Sequence, residues 1–441
     1  MQMPRVPYFL AALVPLVAVF LVIRSFDTRT DFLKVVAARI GSTWPFALHP
    51  DATQQPLIVE DVLWYPHKGD GHKLSSVHNA HGGQGKTYGQ VASSEPTFTR
   101  RIVAVGDLHG DLPNAHKVLR MAGVVDEENN WSGGADIFVQ TGDIIDRGDD
   151  TIKLYMWMEQ LRSQAQAKGG TVLSHLGNHE WMNLIGDWRY VYPSEIKTFG
   201  SAEARFKMIT KGRIGKAWAQ NYTTTTRLPL HPSLGPPNTD YDPESLPASS
   251  PLSHSAISFV HGGLAPQYHD LTPFPSRIND IGHSLLRKLQ TQTPPPPHPP
   301  NPYPGLPHDA THAEQRLYAG DGPLWYRGWA LEPEEKVCAQ VDDVLNRTGT
   351  RRMVMGHTPN FRQIVSRCDG KIIIIDTGIS HAYGGALSAL SIDYTLTPLA
   401  DASSAVHGVK SWTEREVVSA VYEDKVVTLA DDKREISGDF A

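Results

Sequence analysis

Five short blocks, each joining glycine to aspartate, asparagine or histidine, hold the residues of this 441-residue chain best suited to chemistry. In order they are Gly106-Asp107-Leu108-His109-Gly110, Gly142-Asp143-Ile144-Ile145-Asp146-Arg147-Gly148, Gly177-Asn178-His179-Glu180, His261-Gly262-Gly263 and Gly356-His357-Thr358. A lone aspartate after a strand is weak evidence, because aspartate is a common turn residue. Five such blocks, each with a glycine that permits close backbone approach, are hard to obtain by chance. Two carboxylates, three imidazoles and an amide oxygen can, with solvent, hold two divalent cations a few ångströms apart. Asp143, as a carboxylate able to bridge, would let both cations share one charge. A hydroxide held between them is a strong nucleophile at neutral pH. Oxygen and nitrogen ligands without thiolate suit Mn, Fe or Zn and do not select among them.

Such blocks need strands to carry them. Ile102-Val103-Ala104-Val105, Asp136 to Thr141 and Thr171 to Leu176 are short apolar runs that empty into the first three blocks. Between them, Ala115 to Ala122 and Thr151 to Ala167 have helical spacing, the second with Leu154, Trp157, Met158 and Leu161 on one face. Ala256 to Val260 and Arg352 to Met355 precede the last two blocks, and Lys371 to Ile375 runs into Asp376. Glu416 to Tyr422 with Lys425 to Ala430 reads as a closing hairpin. Strand, loop and helix repeated in this order predict an α/β fold whose chemistry sits at strand carboxyl ends.

Composition narrows the classes further. Hydrophobic residues at 40% and charged ones at 20% exclude wholesale disorder, and a net charge of −6 excludes a generally cationic nucleic-acid binder. Cys338 and Cys368 are too few for a disulfide scaffold or a cysteine-rich zinc site. One cross-link between them is open; the expectation is two ordinary thiols. Nineteen of the 33 prolines fall between Pro229 and Pro307, a density no central strand or helix tolerates. That stretch is expected to form surface insertions or polyproline II, near 229–252 and 291–309, and to offer a site for a partner that reads Pro-rich motifs. His254, His269, His283 and His298 are expected there as solvated loop histidines.

Pro7 to Ile23 is a run of 17 uncharged residues, at the lower edge of what spans a bilayer. The expectation is a retained signal-anchor over 1–26, hence a single-pass membrane protein, with a cleaved signal and a secretory-lumen or secreted protein as the alternative. Arg24, Arg29, Lys34 and Arg39 outnumber Arg5 plus the amine, which favours a cytosolic domain. Three N-x-S/T triplets at Asn130, Asn221 and Asn346 favour the lumen instead. The side is left open. A juxtamembrane region, 27–99, follows, weakly helical over 32–40 and strand-like over 57–63; the catalytic domain is expected at 100–430 and a tail at 431–441.

The blocks GDLHG, GDIIDRG, GNHE and HGGL resemble the phosphoprotein phosphatase branch of the calcineurin-like metallophosphoesterases, from about Arg101 to Gly385. Within that branch the chain looks most like the Shewanella-like protein phosphatases, through DLPNAHKVLRMAGVVDEENNWSGG, LWYRG at Leu324 to Gly328 and DTGISHAYGG at Asp376 to Gly385. The last block stands where other subfamilies have an SAPNYC-type loop. The resemblance implies a four-layer αββα sandwich and a two-metal phosphomonoesterase acting on phosphoproteins through metal-bridged hydroxide. It implies Asp107, His109 and Asp143 on the first metal, and Asp143, Asn178, His261 and His357 on the second. His179 would be the general acid, oriented by Asp146, while Arg147 and Arg327 clamp phosphate oxygens. His381 and Tyr383 stand near a strand end, lining the substrate mouth or merely holding a loop. A dinucleoside tetraphosphate hydrolase, a small-molecule phosphatase and a membrane-tethered non-catalytic scaffold are the rival readings; the complete ligand set argues against the scaffold.

Overall fold

Neighbouring residues of the short apolar runs pack in opposite directions: Ile102 and Ala104 join one buried cluster, Val103 and Val105 another. Strands buried on both faces in this way need a layer on each side, and a computed structural model describing residues 97–244, 254–399, 411–438 and 440 shows what supplies them. The first elements in chain order are β1 (Phe98–Val105), α1 (Leu112–Met121), β2 (Ile137–Gln140), α2 (Thr151–Ala167), β3 (Thr171–His175) and α3 (Asn178–Ile185). A helical insertion follows, α4 (Pro193–Thr198), α5 (Ala202–Thr210) and α6 (Arg213–Asn221), then β4 (Tyr222–Thr223), β5 (Thr225–Pro229) and β6 (Ala256–Val260). Next come α7 (Ser276–Thr291), α8 (His312–Tyr318), α9 (Gly328–Leu331) and α10 (Glu334–Thr348). The chain ends with β7 (Arg352–Met355), β8 (Val365–Arg367), β9 (Ile372–Ile374), β10 (Ser388–Pro398), β11 (Ser411–Tyr422) and β12 (Val426–Ser437).

These strands make two sheets. One is ordered β12-β11-β10-β1-β2-β3-β4, the other β5-β6-β7-β9-β8. β1, β2, β3 and β4 run parallel, as do β6, β7 and β9. Ile102, Ala104, Val139, Phe259, Val354, Ile373, Ile392 and Val418 from both sheets form the core between them. Val105, Phe138, Met353 and Ile374 instead join the core of the helical layers, with Leu154 and Met158 of α2, Leu285 of α7 and Val341 of α10. Register aligns the ends that matter: Val105 lies opposite Gln140, Gln140 opposite Ser174, and Val260 opposite Met355, itself opposite Ile374. All the candidate blocks therefore leave the sheets from strand carboxyl ends.

Several expectations are corrected. Cys338 and Cys368 form a disulfide, with Cα atoms 5.3 Å apart, because α10 packs beside the turn after β8; they are not free thiols. The Pro-rich region contains a 16-residue helix, α7, in the proline-free interval after Pro275, so proline marks its boundary rather than excluding it. His283 lies on α7, its Nε2 near the Tyr222 carbonyl at 3.4 Å, and is not a loop histidine. His298 is tied down: its carbonyl accepts from the Trp188 N–H at 2.7 Å, its N–H donates to the Gly186 carbonyl, and Nδ1 meets Asn301 O at 2.7 Å. The 294–307 segment thus pairs with its own chain. The last strand continues past Ala430 to Ser437, with Ile436 and Phe440 buried, so 431–437 is no tail. The segments 7–23, 32–40 and 57–63 lie outside the described residues. Among the described residues, no helix is long and apolar enough to cross a membrane.

Candidate active site

β1 ends at Val105, and the loop after it carries Asp107 and His109, both buried. His109 Nδ1 lies 3.0 Å from the Ile145 carbonyl, which holds the ring with Nε2 3.9 Å from Asp107 Oδ2 and 3.7 Å from Asp143 Oδ2. The loop after β2 brings Asp143, whose Oδ2 lies 3.3 Å from His261 Nε2 and whose Oδ1 accepts the His179 N–H at 2.9 Å. Asn178, at the first position of α3, places Oδ1 2.8 Å from His261 Nε2. His261 Nδ1 rests on the Thr141 carbonyl at 2.9 Å. From the second sheet, the His357 N–H donates to Asp107 Oδ1 at 3.2 Å, while its buried Nε2 has no hydrogen-bond partner among the described residues. Glycine before a ligand is required here: a Cβ at Gly177 would stand 2.2 Å from Asp143 Oδ1, and one at Gly356 2.5 Å from Asp107 Oδ1.

His109, Asp143 and His179 form one group able to hold a cation, and Asp143, His261 and His357 a second. Asp143 belongs to both. Burial keeps His109 neutral, its pKa pulled down to about 3, and holds His357 well below the ordinary imidazole value, helped by His261. Neutral imidazole is the form that ligates. Burial, with Asp376 and Asp143 nearby, pushes the Asp107 carboxyl well up, and burial lifts Asp376 to about 6. Crowded buried carboxylates beside an orphaned imidazole nitrogen fit divalent cations, whose charge would relieve the crowding.

His179 belongs to a second network. Its Nδ1 meets Asp146 Oδ2 at 2.7 Å, and Asp146 accepts from Asn183 Nδ2 at 2.9 Å and from the Arg205 guanidinium at 3.3 Å. Burial alone would lower the His179 pKa, but Asp143 and the Asp146 hydrogen bond outweigh it and raise it. Arg205 is fully buried and also holds Glu195 at 2.9 Å and Asn183 Oδ1 at 2.6 Å. Arg147 stands between two rings, 4.2 Å from the Tyr190 centroid and 4.8 Å from Tyr383. Arg327 donates to the His357 carbonyl at 2.7 Å and Thr358 Oγ1 at 3.1 Å, so it is no free surface arginine. All ten sequence-nominated residues thus converge, drawn from both sheets.

A family model for calcineurin-like phosphoesterases matches residues 100–361. The chain belongs to that family. It is similar to an uncharacterized protein of Schizosaccharomyces pombe, 34% identical over 335 residues, or 74% of this chain and 82% of that one. It is also similar to Shewanella-like protein phosphatase 2 of Arabidopsis thaliana, at 28% identity over 64% of this chain and 71% of that one. Among solved structures, a cold-active protein-tyrosine phosphatase of a psychrophilic Shewanella matches with a TM-score of 0.51 at 22% identity, over 75% of this chain and 80% of that one. That last likeness is one of fold. As a calcineurin-like phosphoesterase the chain is a hydrolase, a phosphatase.

Sequence reasoning left four supports of this phosphoesterase site unassigned. Glu180 accepts from the backbone N–H groups of Asp143, Ile144, Ile145 and Gly177 and from the Tyr155 hydroxyl, at 2.7–3.3 Å. Its signal was legible: a glutamate at the third position of a helix that starts at Asn178. Asp376, at the end of β9, closes on Asp107. Asp111 caps α1 and holds both the backbone N–H and the ring of His381, so His381 ties the 376–385 block to the first one. Arg205, on α5, gave no sequence signal at all.

Proposed function

We propose that this calcineurin-like enzyme is a two-metal phosphomonoesterase acting on phosphoproteins. Asp107, His109 and Asp143 would hold one divalent cation, and Asp143, Asn178, His261 and His357 the other. The observation that carries the reading is that Asp143 is shared by two buried donor groups, with Asp107 Oδ2 3.9 Å from His109 Nε2 beside the first and His357 Nε2 without a hydrogen-bond partner among the described residues. When bound, such cations supply Lewis acidity toward phosphoryl oxygens and acidify water. The chain's own part is positioning. Arg147, braced between Tyr190 and Tyr383, and Arg327, anchored on His357 O, are placed to grip phosphoryl oxygens as planar guanidinium groups do. His179 offers its Nε2 proton to the departing oxygen while Asp146 holds Nδ1. The phosphoprotein substrate rests on the likeness to the Arabidopsis relative, named a protein phosphatase; no observation favours dinucleoside polyphosphates over it.

The test is turnover of phosphoserine, phosphothreonine and phosphotyrosine peptides by the full chain supplied in turn with Mn, Fe and Zn, read beside metal content. Hydrolysis of at least one peptide with two metals per chain is expected. Asp143→Asn should abolish turnover and lower bound metal together, since it withdraws charge from both ions. A variant with near wild-type rate and two metals would sink the bridge. Activity confined to dinucleoside polyphosphates would replace the substrate reading.

A further inference from the structure

We propose that this domain matures inside an oxidising, glycosylating compartment, with the Cys338–Cys368 bond formed and N-linked glycans on Asn130 and Asn346 but not on Asn221. The cross-link joins α10 to the turn after β8. Bonds of this kind persist where thiols are not kept reduced, as in the secretory lumen and outside the cell. Cys368 stands before the amino end of β9, whereas the donor blocks leave their strands from the carboxyl ends, so compartment is what the bond reports. The flanking charge count around residues 7–23 points the other way, and the bond outweighs it. The three Asn-x-Ser/Thr triplets are the substrate of the lumenal transfer reaction.

The fold ranks those three asparagines. Asn346 is exposed in the last turn of α10, and its side chain meets the His254 ring as a hydrogen-bond acceptor, through the amide oxygen and not the nitrogen a sugar takes. Its acceptor partner Thr348 is fully buried, with Oγ1 donating to the Val344 carbonyl at 2.9 Å. Transfer at Asn346 must therefore precede folding, as it does on an emerging chain. At Asn130, Oδ1 accepts from Gln160 Nε2 at 3.2 Å and Gln164 Nε2 at 2.7 Å. Asn130 is half-buried, and both donors, which lie on α2, reach its amide oxygen and not the nitrogen a sugar takes. Asn221 is different: its Nδ2 donates to Glu159 Oε2 at 2.5 Å, so a sugar placed on that nitrogen before folding would cost the contact and crowd α2, and only chains with Asn221 bare reach this fold.

Position agrees with this ranking. Asn346 lies just before β7, and Asn130 shortly before β2, at the ends where these parallel strands begin. The donor residues leave the same strands from their other ends, so glycans on Asn130 and Asn346 stand a sheet's length from the phosphate-gripping arginines. Asn221 directly precedes β4, whose Tyr222 pairs with Ser174 near the carboxyl end of β3. None of this depends on the substrate reading above.

The experiment uses the full chain produced in eukaryotic cells. Free thiols are alkylated without reduction, the protein is digested, and glycans are released by peptide-N-glycosidase in heavy-oxygen water before mass spectrometry. Heavy aspartate is expected at positions 130 and 346, unlabelled asparagine at 221, and Cys338 and Cys368 in one linked peptide pair. Asn130 or Asn346 recovered unmodified, or both cysteines alkylated without reduction, overturns the proposal. Label at 221 overturns the ranking. As a control on folding, Asn346→Gln should lose one glycan and keep full phosphatase activity.

Discussion

Four backbone N–H groups and one hydroxyl point at the Glu180 carboxylate, which lies next in sequence to the proposed acid His179. Glu180→Gln would put an amide donor among those donors, costing about 2–4 kcal/mol through unmet hydrogen bonds. A fall in melting temperature together with lower metal content is expected, although Glu180 belongs to neither candidate donor group. Calorimetry showing an unchanged transition would remove this role. His179→Asn should behave in the opposite way, keeping metal. Its turnover of phosphoserine peptide should drop about 10²–10⁴-fold while nitrophenyl phosphate suffers much less, since a good leaving group needs little protonation. Equal losses on the two substrates would point to His179 as a ligand instead, which its place beside His109 and Asp143 also permits.

At the scale of elements, what could be read from sequence was whatever repeats a local rule. The strands ending at Val105, Gln140, Val260 and Met355 were legible because short apolar runs stop at glycine blocks, and the candidate ligands came with them. α7 was hidden by flanking prolines. α4, α5 and α6 were missed because nothing local marks them as a platform, yet they deliver Glu195 and Arg205 behind Asp146. The disulfide was equally illegible, because two cysteines 30 residues apart reveal nothing of α10 lying against the turn at Cys368. Closing a loop of that size stabilises by about 3–4 kcal/mol on the chain-entropy account. Cys338→Ser with Cys368→Ser should therefore melt several degrees lower in scanning calorimetry while keeping its kcat. A double variant that melts with the wild type would show that the bond carries no stability.

For the molecule as a whole, we propose that residues 7–23 tether the enzyme to a membrane. As a helix that run is about 25 Å long, a little short of a ~30 Å hydrocarbon core. The full chain should stay in the membrane fraction through carbonate washing, and a chain lacking residues 1–26 should be released from it. A mature amino terminus found beyond Ile23, on protein in the soluble fraction, would make the segment a cleaved signal and discard the tether.

The donor set also has an order in time. His357 bonds to Asp107 across 250 residues, and β1 pairs with β10, which comes later still. At roughly 5–20 residues per second, synthesis leaves Asp107 and its loop waiting roughly 12–50 seconds for their partner. During that interval β1 has β2 on one side and an open edge on the other, and the carboxylates of the first sheet have no second-sheet imidazoles beside them. The nascent chain therefore passes through a stage with half a site and an unpaired strand, when a chaperone that shields that edge would decide how many molecules ever become enzyme.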